Sequence, residues 1–216
     1  MRNSIWEYID LSHEEKEHLW DSAVFVFDTN VLLNLYRYSS KTSNMLFNAI
    51  TTLSDRVWIP HQIAYEFMKN RCEVIYEVCS KYDSFEKDKD DFLIKAKSLS
   101  YLQDSDQEVE QLRETLEGWT KSCRERNIQV DNPNNDFILG KLLDLFNGKT
   151  GTRYDTKRMI ELFEEGEKRF NDSIPPGYED IKKSRTSGDN IYGDFIAWMQ
   201  IIDFATDEKR YHLHYT

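Results

Sequence analysis

Over most of this chain apolar and polar positions recur in steps of three and four, the period of a helix; two short early stretches depart from it. Ala23-Val24-Phe25-Val26-Phe27 is an uninterrupted apolar run that ends on a carboxylate, Asp28. A β-rich run without alternation predicts a strand buried on both faces, as in a parallel sheet. Arg56-Val57-Trp58-Ile59 predicts a second strand ending at Pro60, a residue suited to the first turn of a helix. Before the first strand, Ser12-His13-Glu14-Glu15 is a capping-box pattern and predicts a short helix to about Trp20. From Gln62 a long helix follows, with Ile63, Phe67, Val74, Ile75, Val78, Tyr82 and Phe85 on one stripe, giving the order βαβα.

From about Tyr82 to Asn127 the chain is charged and periodic, with a second capping box at Ser105 and Glu108; a helical hairpin inserted into an α/β core is predicted there. The turn-rich Asp131-Asn132-Pro133-Asn134-Asn135 leads to a helix ending near Gly148, and another helix spans Thr156 to Phe170. Ser173 to Tyr178 is predicted to be a rigid extended turn, because consecutive prolines exclude helix for themselves and for Ile174. A polar loop, 182–189, precedes a last helix, Ile191 to Ala205, apolar almost all round as a helix packed inside a domain reads. The expectation is one domain over 1–216, with a helical insertion at approximately 82–170.

Composition narrows the class. Of 216 residues, 39% are hydrophobic and 31% charged, an ordinary globular balance. No apolar run reaches membrane-span length and the first residues lack a signal-peptide segment, so a cytoplasmic address is expected. Three cysteines make a poor disulfide framework; Cys72 and Cys79 are separated by roughly 10 Å along a helix, too far to bridge. No Cys/His set has zinc spacing, although His212 and His214 would share a strand face. A net charge of −11 argues against a protein that coats nucleic acid by bulk electrostatics. It leaves room for a nuclease whose carboxylates hold divalent cations beside a local basic fringe. Lys182, Lys183 and Arg185, with Arg153, Arg158 and Arg169, are candidates for that fringe or plain surface charges.

Three acids stand out. Asp28 closes a strand, where ligands of α/β sheets bind; alternatively Asp28, Thr29 or Asn30 caps the helix beginning at Val31. Asp194 shares a stripe with Trp198 and Ile201 at i+4 and i+7, which predicts a desolvated carboxylate needing a cation or strong hydrogen bonds; the bland reading is complementarity to the helix dipole. Glu66, one turn into the helix after strand two, is either a third site acid or a surface glutamate pairing with Asn70 or Lys69. Jointly the three positions can converge on one crevice, and crowded carboxylates call for Mg²⁺ or Mn²⁺.

Phe27 to Arg37, Trp58 to Gln62 with Tyr65-Glu66-Phe67 and Asn70-Arg71, Ile174 to Asp180, and Tyr192 to Ile196 with Trp198 together resemble the PIN-like nuclease domains, in particular a subgroup carrying a long helical insertion. The resemblance implies an α/β/α sandwich with a central parallel sheet, an inserted helical hairpin, and a metal-dependent nuclease. The typical substrate is single-stranded RNA or flapped nucleic acid. It also implies catalytic and metal-binding roles for Asp28, Glu66 and Asp194, with Asn30 orienting Asp28 through a hydrogen bond. Arg71, Lys182 and Lys183 become candidate phosphate holders, Asp180 a candidate extra acid, and Asp189 a loop or cap acid. Members of this kind often serve in bacterial toxin, stress or phage-defence systems, and a protein partner or a homo-oligomer is an open expectation.

Family members usually add a buried last strand ending in a fourth acid. Here Tyr211 to Thr216 is polar for such a strand and the acid would fall beyond it; Asp207 and Glu208 come too early. Either the chain is a truncated form, with metal binding weakened relative to a longer one, or its site works with three acids. Two other readings stand: a PIN-like binding module impaired in catalysis, and an aspartate-nucleophile phosphotransferase of the haloacid dehalogenase kind, although that family's second Asp is Asn30 here.

Overall fold

The structure, a computed structural model, describes residues 8–99, 106–178 and 191–207. Its helices are α1 (His13–Ser22), α2 (Thr29–Arg37), α3 (Ser40–Thr52), α4 (His61–Leu99), α5 (Asp106–Asn127), α6 (Phe137–Leu145), α7 (Thr156–Asn171) and α8 (Gly193–Thr206). Local chemistry accounts for their starts. Ser12 and Glu15 form the reciprocal capping box before α1, and the side chains of Asp28, Ser39, Asp136 and Asp155 accept backbone N–H groups at the heads of α2, α3, α6 and α7.

The expected central parallel sheet does not form: among the described residues there is no strand, only two isolated parallel bridges, Phe25 with Val57 and Ile59 with Thr150. The physical reason lies in how soon each extended segment ends. Phe25 donates to the Arg56 carbonyl at 2.6 Å and accepts from Trp58 at 3.0 Å, but Asp28 then caps α2. On the other segment Pro60, which has no N–H to give a ladder, leads directly into α4. Nor is the first segment sealed on both faces: Val24 is 44% exposed and Phe25, Val26 and Phe27 are half-buried. The stretch expected as a last strand, 211–216, lies outside the described residues.

The core is therefore mainly helix on helix. Leu32, Leu33, Leu35 and Tyr36 of α2 meet Ile63, Phe67, Val74 and Ile75 of α4, with Ile138, Leu142 and Leu145 of α6 and the extended residues Val57 and Ile59 completing the cluster. Truncating a residue buried this fully, such as Leu32, costs about 2–5 kcal/mol. A second cluster joins Leu162 of α7 to Phe195 and Ile196 of α8, while Ala197 of α8 belongs to the first; α8 thus packs against both.

The stretch expected as a hairpin inserted into an α/β core has a different first arm. It is the uninterrupted continuation of α4, 39 residues long, against which α5 packs through buried Leu93 and Val109 and an edge-to-face pair, Phe85 with Trp119 at 5.5 Å. All three cysteines are free thiols. Among the described residues no helix is long and apolar enough to cross a membrane.

Candidate functional site

The ends of α2, α4 and α8 enclose a cavity of about 810 Å³, and Asp28, Glu66 and Asp194 all line it, as do Asn30 and Asn70. Convergence of the three acids therefore occurs without a sheet beneath them.

Asp28 closes no strand; it caps α2, as one reading of its position has it, and also lines the cavity. One carboxylate oxygen accepts the Thr29 N–H at 2.8 Å, capping α2, and the other accepts Asn30 Nδ2 at 3.2 Å, while the side chain remains open to the cavity. Asn30 thus has the contact expected of an orienting residue.

Glu66 sits in the second turn of α4, half-buried. Gln62 Nε2 donates to its Oε1 at 2.8 Å and Thr29 Oγ1 to its Oε2 at 3.1 Å. Burial pushes its carboxyl above the ordinary carboxylate value; the two hydrogen bonds pull it back, and the charges of Asp194 and Asp28 push it up further.

Asp194 lies in the first turn of α8, where its charge suits the helix dipole. Its expected desolvation is not found: the residue is exposed. The stripe it shares with Trp198 and Ile201 faces the cavity, whereas the faces carrying Phe195, Ile196 and Ala197 enter the two cores. An apolar stripe on a helix can thus line an open cavity as well as enter a core.

Two glycines set the spacing. A Cβ at Gly193 would come 2.3 Å from Glu66 Oε1, so any side chain there would push that carboxylate aside. Gly177, at φ +82°, turns the chain after Pro175-Pro176 so that its Cα passes Asp194; a Cβ there would lie 3.1 Å from the Asp194 Cβ. The turn is tied down by Arg169, whose Nη2 donates to the Pro175 carbonyl at 2.8 Å and whose guanidinium lies over the Phe195 ring.

Sequence reasoning missed the residues that hold Glu66. Gln200 Oε1 accepts the Gln62 N–H at 2.9 Å, satisfying a donor at the head of α4 from a side chain of α8, and the Gln62 side chain then reaches Glu66. The signals were there: Gln62 precedes Glu66 by one helical turn, and Gln200 is a buried polar residue in an apolar helix.

Other expected residues lie elsewhere. Arg71 is committed to Asp136, its Nη1 2.8 Å from Oδ2, with side chains 13% and 2% exposed, and it does not line the cavity. Tyr36 donates to the same oxygen at 2.8 Å; burial and that hydrogen bond hold its hydroxyl well above the usual phenol range. Arg158 lies near Glu161 and over the Tyr154 ring. Asp180, Lys182, Lys183, Arg185 and Asp189 fall outside the described residues.

The cavity acids offer only oxygen donors, the set suited to a hard divalent cation such as Mg²⁺ or Mn²⁺, and the charge felt at Glu66 is of the kind a cation would relieve. Among the described residues no group of three or more His, Cys, Asp or Glu side chains is gathered closely enough to grip an ion in this arrangement. The donor chemistry fits, although among the described residues these carboxylates do not form a closed ligand set.

No curated protein and no solved structure matches the chain. One family does, over residues 24–213, which takes in all three acids, both glycines and the α4–α5 hairpin. The chain belongs to the PIN like domain family, a nuclease-type superfamily.

Proposed function

We propose that this protein is a nuclease that hydrolyses phosphodiester bonds with Mg²⁺ or Mn²⁺, and that its substrate is single-stranded RNA. The observation that carries the reading is that acids from three separate elements line one cavity. PIN-like domains are generally metal-dependent nucleases, which supports it.

In this reading Asp28, Glu66 and Asp194 hold the ion. When bound, it supplies a water of lowered pKa and neutralises charge developing on the phosphate oxygens. The chain's own contribution is orientation. Asn30 and the Thr29 N–H fix the two oxygens of Asp28, and Gln62 and Thr29 fix those of Glu66, so neither carboxylate has to find its rotamer during the reaction. The Gln200 contact to Gln62 keeps α4 and α8 in register, and with them Glu66 and Asp194. Lys182 and Lys183 remain candidate phosphate holders.

The test is cleavage of labelled single-stranded RNA and DNA with Mn²⁺ or Mg²⁺, comparing the chain with Asp28→Asn. Metal-dependent cleavage of RNA that the variant loses by about a hundredfold or more is the expected result. A second reading, a binding module without catalysis, is favoured by the lack of a closed ligand set among the described residues. Binding without cleavage by either protein would select it.

A further inference from the structure

We infer that Trp198 is a stacking platform for the nucleobase beside the phosphate that the acids would engage, which makes an unpaired base part of what the site selects. The inference rests on the substrate class proposed above and adds a residue to it.

The cavity lining is of two kinds: the carboxylates Asp28, Glu66 and Asp194, and the apolar side chains Val26, Leu33, Ile63, Trp198 and Ile201. A ligand meeting both must carry an anionic group that a cation can join to the acids and, close to it, a flat apolar group. A nucleotide has that composition. Trp198 follows Asp194 by one helical turn, roughly 6 Å along the axis, so the two share one face of α8 on the cavity.

The indole itself is the stronger argument. Trp198 lines the cavity yet is 48% exposed. The other described tryptophans each pair with a ring: Trp20 with Phe25, Trp58 with Phe204, Trp119 with Phe85. Among the described residues Trp198 pairs with none, although α8 presents apolar neighbours on its other faces. Folding alone gives little reason to leave so large an apolar surface beside three carboxylates. A base has a π-face to offer, and in a duplex its neighbours already cover it, so such a platform favours single strands.

The experiment measures binding of a short labelled single-stranded RNA in Mg²⁺ by fluorescence anisotropy, with cleavage of the same strand followed in parallel. Wild type is compared with Trp198→Leu and Trp198→Phe, on the intact strand and on one carrying abasic sites. Because the residue is exposed the variants should fold, which circular dichroism checks. The expected result is that Leu weakens binding about 5- to 150-fold and Phe only slightly. Removing bases should weaken wild type by a comparable factor and leave the Leu variant indifferent. The inference is overturned if Leu binds like wild type, if its loss is the same on abasic strands, or if wild type has no affinity for single strands. Trp-dependent binding without cleavage would keep the platform and remove the catalytic reading; cleavage indifferent to residue 198 would do the reverse.

Discussion

Two carboxylate sites flank α4, and they are built on opposite terms. On one side Asp136 is met by the guanidinium of Arg71, the hydroxyl of Tyr36 and the Leu139 N–H, and the ion pair is nearly sealed from solvent. On the other, Glu66 is met by an amide and a hydroxyl, and Asp28 by a backbone N–H and an amide. The first site satisfies charge with charge and ties α2, α4 and α6 together. The second orients its carboxylates with neutral groups, which leaves their charge to act on something brought from outside. A buried acid is thus structural or chemical according to what it is paired with.

The widest separation between the two should come from Asp136→Ala. Breaking a buried pair by removing one partner costs about 3–5 kcal/mol, so urea denaturation should show a large fall in midpoint, while Asp28→Asn on the cavity side, which keeps the cap of α2, should leave stability nearly unchanged. If both variants lose equal stability, the contrast collapses. Smaller is Gly193→Ala, whose Cβ must displace Glu66. Its nuclease rate should drop about 10- to 100-fold, the range typical when the support of a metal ligand is lost. Asn30→Ala should fall in the same range or below it, with kcat affected and the fold intact by circular dichroism.

The smallest effect is a matter of pH. Glu66 has its carboxyl raised in the folded state, so between the unfolded and folded values the native protein binds more protons than the unfolded chain. Stability on its account is therefore fully present below the ordinary carboxylate value and lost as pH rises through the raised one. In the absence of divalent cations, Glu66→Gln should raise the melting temperature at neutral pH by about 1–4 °C, and the gain should vanish in acid. No gain at neutral pH would mean that the hydrogen bonds from Gln62 and Thr29 outweigh the burial.

What could be read from the sequence follows from the range of each interaction. Short-range signals were legible: Ser12 and Glu15 mark α1, and α7 begins at the predicted Thr156. The meeting of the three acids in one cavity was legible only from their joint positions, since Glu66 taken alone reads as a surface glutamate. The sheet was misread because Ala23 to Phe27 has the composition of a strand, while ladder length is decided by where Asp28 and Pro60 start helices and by partners far along the chain. Arg71 was misassigned to phosphate for the same reason: its type announces a cation, but its partner lies 65 residues away. Gln200 stood out as a polar residue in an apolar helix, but its partner Gln62, 138 residues away, left no local trace.

The double duty of Asp28 shapes how its mutants must be interpreted. Asparagine caps a helix about as well as aspartate, whereas alanine does not. A genetic screen that discards unfolded protein and keeps inactive protein should therefore recover Asn at position 28 more readily than Ala, and a null phenotype from Ala alone would confound a lost reaction with a frayed α2.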